Sequence, residues 1–138
     1  MIESVRLGSR AKNQLVTLKR KTGIQNWNVL CRWAFVMSLR EPSRPRQVNE
    51  GLEGGIEMTW RTFGGDYADI YEGLLRSRLQ LDGLEATTGE LTQQLRRHIY
   101  RGIGYLAATN KVADIAELSS IAIGQPISQI GRLDIQHS

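Results

Sequence analysis

Apolar residues recur along the chain at two periods, and the switches between them mark the elements. Val5 and Leu7 alternate with Ser4 and Arg6, the period of a short strand within residues 2–7. From Arg10 to Thr22 the period changes. Ala11, Leu15, Leu18 and Thr22 form one stripe of a helix, with Ser9 as its expected N-cap and Gly23 as its C-terminal stop. Asn26 is the next expected cap. The helix that follows, Trp27–Leu39, has ten apolar residues among thirteen. A helix apolar on every face must be covered on every face. A chain with so few other elements is expected to turn one of those faces to another subunit.

Residues 41–55 hold two prolines and three glycines, which predicts a mobile loop. Ile56, Met58, Trp60 and Thr62 then alternate with Glu57, Thr59 and Arg61, as an extended segment does. Gly64 and Gly65 turn the chain. Asp66 is expected to cap a third helix with Ile70, Leu74, Leu75 and Leu79 at helical spacing, ending near Gly83. Thr87-x-x-Glu90 has the form of a capping box and opens a fourth helix, whose apolar positions are Leu91, Leu95, Ile99, Ile103 and Leu106. A fifth is expected over 111–122, from Val112, Ile115, Ala116 and Leu118, before a polar tail from Gly124. The fold class expected is mainly α: a compact bundle of four to five helices with one or two short extended segments. Residues 1–107 make the helical domain, and 108–138 a helical extension and tail.

At 138 residues the chain has the size of one domain, and 41% apolar against 23% charged residues excludes wholesale disorder. Charge changes the picture more. The total is +4, but residues 1–46 carry ten basic and two acidic residues, a net +8, while 47–138 carry eight basic and twelve acidic, a net −4. A basic third joined to an acidic remainder points to a polyanion contact on one side, or to a solvated basic helix face. The apolar run Trp33–Met37 is far too short to span a membrane. One cysteine and no basic-then-apolar leader fit a cytoplasmic location.

Residues able to do chemistry are few. With His98, His137 and Cys31 as the only histidines and cysteine, no zinc set forms. His98 falls with Leu91, Leu95 and Gly102 on the apolar side of its helix, so it reads as a core or interface histidine before a catalytic one. Cys31 reads as a buried thiol, with Arg32 beside it. Gly64-Gly65-Asp66 offers backbone N–H groups to a phosphate, or simply a turn. Asp66, Asp69 and Glu72 recur every three residues, either as ligands for magnesium or as acids at the positive end of a helix dipole. A nicking reaction would draw on Glu57 or Asp66 to hold a divalent metal, Arg61 or Arg101 near the phosphate, and His98 as acid or base. Without that reaction no cofactor is expected.

Three stretches together carry a resemblance. They are Thr22-Gly23-Ile24 with Asn28-x-Leu30-Cys31-Arg32-x-Ala34-Phe35 and Ser38-Leu39; Glu57-Met58-Thr59-Trp60-Arg61-Thr62-Phe63-Gly64-Gly65; and His98-x-x-Arg101-Gly102-Ile103-Gly104-Tyr105-Leu106. In this order, over about residues 3–107, the chain resembles the DndE family of DNA sulfur modification proteins. The resemblance implies a small helical protein that forms a homo-oligomer, a tetramer, within the machinery that replaces a non-bridging phosphate oxygen of DNA with sulfur. Its implied partners are a cysteine desulfurase, an iron–sulfur sulfurtransferase and an ATPase, together with double-stranded DNA, nicked duplex above all. DNA nicking, or assembly of the sulfur-transfer complex, are the alternative roles it implies. Resemblance and charge agree on a DNA surface of Arg10, Lys12, Lys19, Arg20 and Lys21, joined by Arg44 and Arg46 from the loop. Arg32 is a weaker candidate, and Arg96, Arg97 and Arg101 are the second choice.

Overall fold

Two antiparallel helices form the centre. The computed structural model describes residues 2–108, so the fifth helix expected at 111–122 and the polar tail lie outside the described residues. Strand β1 (Ser4–Leu7) leads into α1 (Ser9–Thr22), α2 (Trp27–Leu39), strand β2 (Ile56–Thr59), α3 (Trp60–Gly64), α4 (Ala68–Leu81) and α5 (Thr88–Ala108). A single 3-10 turn, Gly65–Tyr67, joins α3 to α4. The strands pair antiparallel, Ser4 opposite Thr59 and Leu7 opposite Ile56. The mainly helical class, with short extended segments, is the one the periodicity predicts.

α2 and α5 run side by side in opposite directions, since Ser38 meets His98 while Ala34 meets Gly102. Gly102 makes that approach possible: a Cβ on it would lie 1.8 Å from the Ala34 carbonyl oxygen. Leu91, Leu95, Ile99, Ile103 and Leu106 are all buried along α5, each contributing on the order of 2 kcal/mol by leaving water. Phe35 of α2 meets Phe63 of α3 and Tyr71 of α4 edge-on, at 5.9 and 6.2 Å between ring centres, and Trp60 stacks on Phe63 at 5.1 Å. These rings tie the short α3 into the core.

Several local expectations need correction. α1 begins at Ser9 and not after it: Gly8 is the N-cap, and the Glu50 carboxylate reaches from the loop to accept the Arg10 N–H at 2.6 Å. The extended segment ends at Thr59, whose hydroxyl accepts the Thr62 N–H and starts α3, so Trp60 and Thr62 are helical. Asp66 caps no helix; it sits in the 3-10 turn, and the residue before α4 is Tyr67. On α4 the buried residues are Tyr71, Leu75, Arg78 and Leu79, while Ile70 and Leu74 face outward. The apolar α2 is largely covered by its own chain, through α5, α3 and α1. The capping box at Thr87 is half formed: Thr87 Oγ1 accepts the Glu90 N–H, but the Thr87 N–H goes to the Glu85 carbonyl.

Candidate nucleic-acid interface

Residues 41–55 form an irregular loop, as their prolines and glycines predict, but arginines fasten its start and so oppose the mobility expected of it. Arg78 of α4 is buried and donates to the carbonyl oxygens of Leu39, Glu41, Pro42 and Ser43, with Nε held by the Asp82 carboxylate at 3.1 Å. Arg101 of α5 donates to the Ser38 carbonyl and hydroxyl and to Ser43. Together they take up carbonyls left open where α2 ends, and place positive charge at the negative end of its dipole. Further on, Arg96 donates to the Glu50 carbonyl at 2.9 Å, and the Tyr100 hydroxyl accepts the Gly8 N–H at 2.8 Å.

The fastened loop and α5 enclose a cleft of about 460 Å³, with Arg44, Arg46, Arg97 and Arg101 in its walls beside Val48, Tyr100 and Tyr105. A second hollow adjoins it through Val48 and Tyr100, and reaches Arg10 and Gln14 on α1. The result is one groove crossing three parts of the chain. Its arginines differ in what they can still do. The donors of Arg101 are spent on α2 and Ser43, and Arg44 gives one to the Asp82 carbonyl. Among the described residues the side chains of Arg10, Arg46 and Arg97 make no hydrogen bond or ion pair. A planar guanidinium with free donors suits a phosphate group.

The expected basic set divides. Arg10, Gln14, Thr17 and Lys21 follow one helix face at i, i+4, i+7 and i+11, the face that borders the groove. Lys12 and Lys19 fall on the other flank of the buried stripe, where Lys19 Nζ stands 3.5 Å over the Trp27 ring. Arg20 points outward between the flanks. Arg44 and Arg46 are exposed at the cleft. Arg32 is occupied, donating to the carbonyls of Phe63 and Thr62 at the end of α3. Arg97, only a second choice from sequence, stands at the cleft because α5 turns it toward the loop. The role of Arg78 was missed; its i, i+4 spacing to Asp82 could have suggested an ion pair, but nothing in the sequence points to its burial or to the carbonyls it holds.

The residues considered for nicking are dispersed. Glu57 faces Arg6 across the two strands at 3.8 Å. Asp66, Asp69 and Arg61 are exposed, and Glu72 pairs with Arg76 at 3.2 Å. Among the described residues no three His, Cys, Asp or Glu side chains are grouped to hold a metal. His98 is 0% exposed, with Nδ1 2.8 Å from Ser38 Oγ and its ring edge-on to Phe35. Burial, reinforced by the nearby charges of Arg78 and Arg101, pushes its pKa down to about 3. Burial raises the Cys31 thiol to about 12, outweighing the opposing pull of Arg32, so the nucleophilic thiolate is not available near neutral pH.

These features define a small, mainly helical protein built on a two-helix core, with an arginine-lined groove beside it. The family model "DNA sulphur modification protein DndE" matches residues 4–114, and the chain belongs to the DndE family. Its fold is similar to the crystal structure of DndE from Escherichia coli B7A involved in DNA phosphorothioation modification: TM-score 0.65, 24% identity, covering 77% of this chain and 98% of that one. A DndE mutant involved in DNA phosphorothioation is similar at TM-score 0.62 and 21% identity, covering 77% and 99%. A search of curated proteins finds no significant match. No helix among the described residues is long and apolar enough to cross a membrane.

Proposed function

We propose that this chain is a DNA-binding subunit of the DNA phosphorothioation machinery, holding double-stranded DNA, and nicked duplex in preference, in its groove. The observation that carries this reading is that Arg46 and Arg97, from the loop and α5, line one cleft and Arg10, from α1, the hollow adjoining it, their side chains without partners among the described residues. Arg46 and Arg97 line the same cleft, Arg10 the hollow beside it together with Glu50, and a chain of phosphates along the two would neutralise the open cations. Such contacts position DNA without reading its bases. A nick favours binding because the interrupted strand bends more cheaply onto a basic surface. The dispersal of Glu57, Asp66 and His98 favours binding over hydrolysis.

The subunit acts as a homo-oligomer, a tetramer by family resemblance. Tyr67, Ile70 and Leu74 are 46%, 59% and 44% exposed and line an apolar groove with Val36 and Leu39 of α2. A contiguous apolar surface of this kind suits a second copy. Several copies would set several basic grooves along one duplex and raise their effective concentration.

The test is binding of the isolated protein to nicked and intact duplex over a salt series. Affinity should fall steeply with salt, by roughly 0.9 log units per log unit of salt for each phosphate contact. The double substitution Arg46→Ala with Arg97→Ala should weaken binding to all sequences alike and flatten the slope by about 2. An unchanged slope would remove the groove from consideration and return attention to Lys19, Arg20 and Lys21. Plasmid relaxation, run beside it in magnesium and in chelator, should not exceed the buffer control.

A further inference from the structure

The cleft between the loop and α5 has more to it than contact with a duplex ridge requires. Its volume of about 460 Å³ lies within the roughly 300–1,000 Å³ typical of small-molecule sites, where a surface patch of arginines would suffice for a phosphate backbone. One part of its wall is uncharged. Val48 and Tyr105 stand there with Arg46 and Arg97. Tyr105 is 37% exposed; among the described residues it makes no hydrogen bond or ring contact, and its hydroxyl has the Arg101 guanidinium, one turn back on α5, as its charged neighbour. Tyr100, by contrast, is engaged by the Gly8 N–H and lies beneath Arg96. Free guanidinium groups next to a free aromatic face are the combination that holds a nucleotide out of its stack, the cation on the phosphate and the ring on the base.

We infer that this cleft takes one unstacked nucleotide of a DNA strand, its phosphate on Arg46 and Arg97 and its base against Tyr105 and Val48. The inference deepens the DNA-binding reading and rests on it. An internal nucleotide of an intact duplex must be unpaired and flipped before it can enter, whereas a nucleotide at a strand end or in a flap is already free. Selection among DNA structures then follows from the cleft itself, beyond the ease of bending.

The experiment compares two duplexes of equal length and with the same nick, one with both ends at the nick paired and one bearing a one-nucleotide 5′ flap there, so that both bend alike, bound by the full chain. The wild type should prefer the flapped duplex about tenfold, the value of one base–aromatic stack. Tyr105→Leu should bring the ratio of the two affinities to one. Tyr105→Phe should preserve it, because the ring and not the hydroxyl carries the contact. Arg46→Ala with Arg97→Ala should weaken binding to both duplexes. Circular dichroism checks that each variant is folded. A wild type that binds the nicked duplex with strong salt dependence but shows no preference for the flap would overturn the inference alone. So would a preference that survives Tyr105→Leu. A wild type that binds neither duplex at low salt would overturn the DNA-binding reading and this inference with it.

Discussion

His98 sits where α2 and α5 face each other, and its charge state follows from that position. The folded chain keeps it neutral down to about pH 3, against an ordinary value of 6.5. The unfolded chain takes up its proton near 6.5, so acid favours unfolding. The stability this residue contributes is therefore complete above pH 6.5 and is lost as pH falls from 6.5 toward 3. At about 1.4 kcal/mol per unit, the loss at pH 5 relative to pH 7 should be on the order of 2 kcal/mol. Urea unfolding at both pH values measures it, with His98→Gln as the control. That variant should be weaker at pH 7 but should lose less on acidification; equal losses would show that another group is responsible. The placement of His98 was legible in sequence, because its stripe neighbours Leu91, Leu95 and Gly102 are apolar or small. Arg78 was not, since a periodicity argument counts an arginine as surface. Only the tertiary fold shows the carbonyls of residues 39–43 converging on it.

Among the helices, the closest contact is also the most exacting. Gly102→Ala would gain about 1 kcal/mol of helix propensity if exposed. Here the added methyl would meet the Ala34 carbonyl at 1.8 Å, and backbone cannot swing aside as a side chain can. Overpacking costs about 1–3 kcal/mol, and with backbone as the obstacle the upper part of that range applies, so the variant should be net destabilised by up to about 2 kcal/mol. A thermal melt should show a lower midpoint, and an unchanged or higher one would mean that α2 and α5 separate easily. The long helices α1 and α5 could be read from their stripes, and α2 from its unbroken apolar character after the Asn26 cap. The end of β2 could not: Trp60 and Thr62 keep the alternation of a strand, and only the Thr59 hydroxyl on the Thr62 N–H reveals the switch. The stripe of α4 misled for a related reason. Ile70 and Leu74 are apolar at helical spacing, yet they lie on a face that the other described residues do not cover.

For the whole molecule, net charge pointed to the first third, and Arg10, Arg44 and Arg46 do border the groove. The same arithmetic hid Arg97, which lies in the acidic remainder, because a sum over residues says nothing of which side each one faces. A similar shift applies to assembly. The apolar α2 suggested a subunit contact, and the exposed apolar side chains in fact stand beside its C-terminal half, on α4 and the turn before it. Ile70→Asp with Leu74→Asp should leave the monomer folded, since both are outward-facing, and should convert an oligomer to a 15.5 kDa species in analytical ultracentrifugation. A wild type that sediments as a 15.5 kDa monomer at micromolar concentration would remove the basis for an oligomer.

The antiparallel pairing of Ser4 with Thr59, and the bond from the Gly8 N–H to the Tyr100 hydroxyl, order events in time. In a chain made from its N-terminus, Val5 and Leu7 emerge early but have no partner strand until residue 59 has been added. Gly8 then waits for a residue 92 positions away. β1, made before the elements it depends on, is thus among the last to be completed, and during that interval its open strand edge is available to any neighbouring nascent chain.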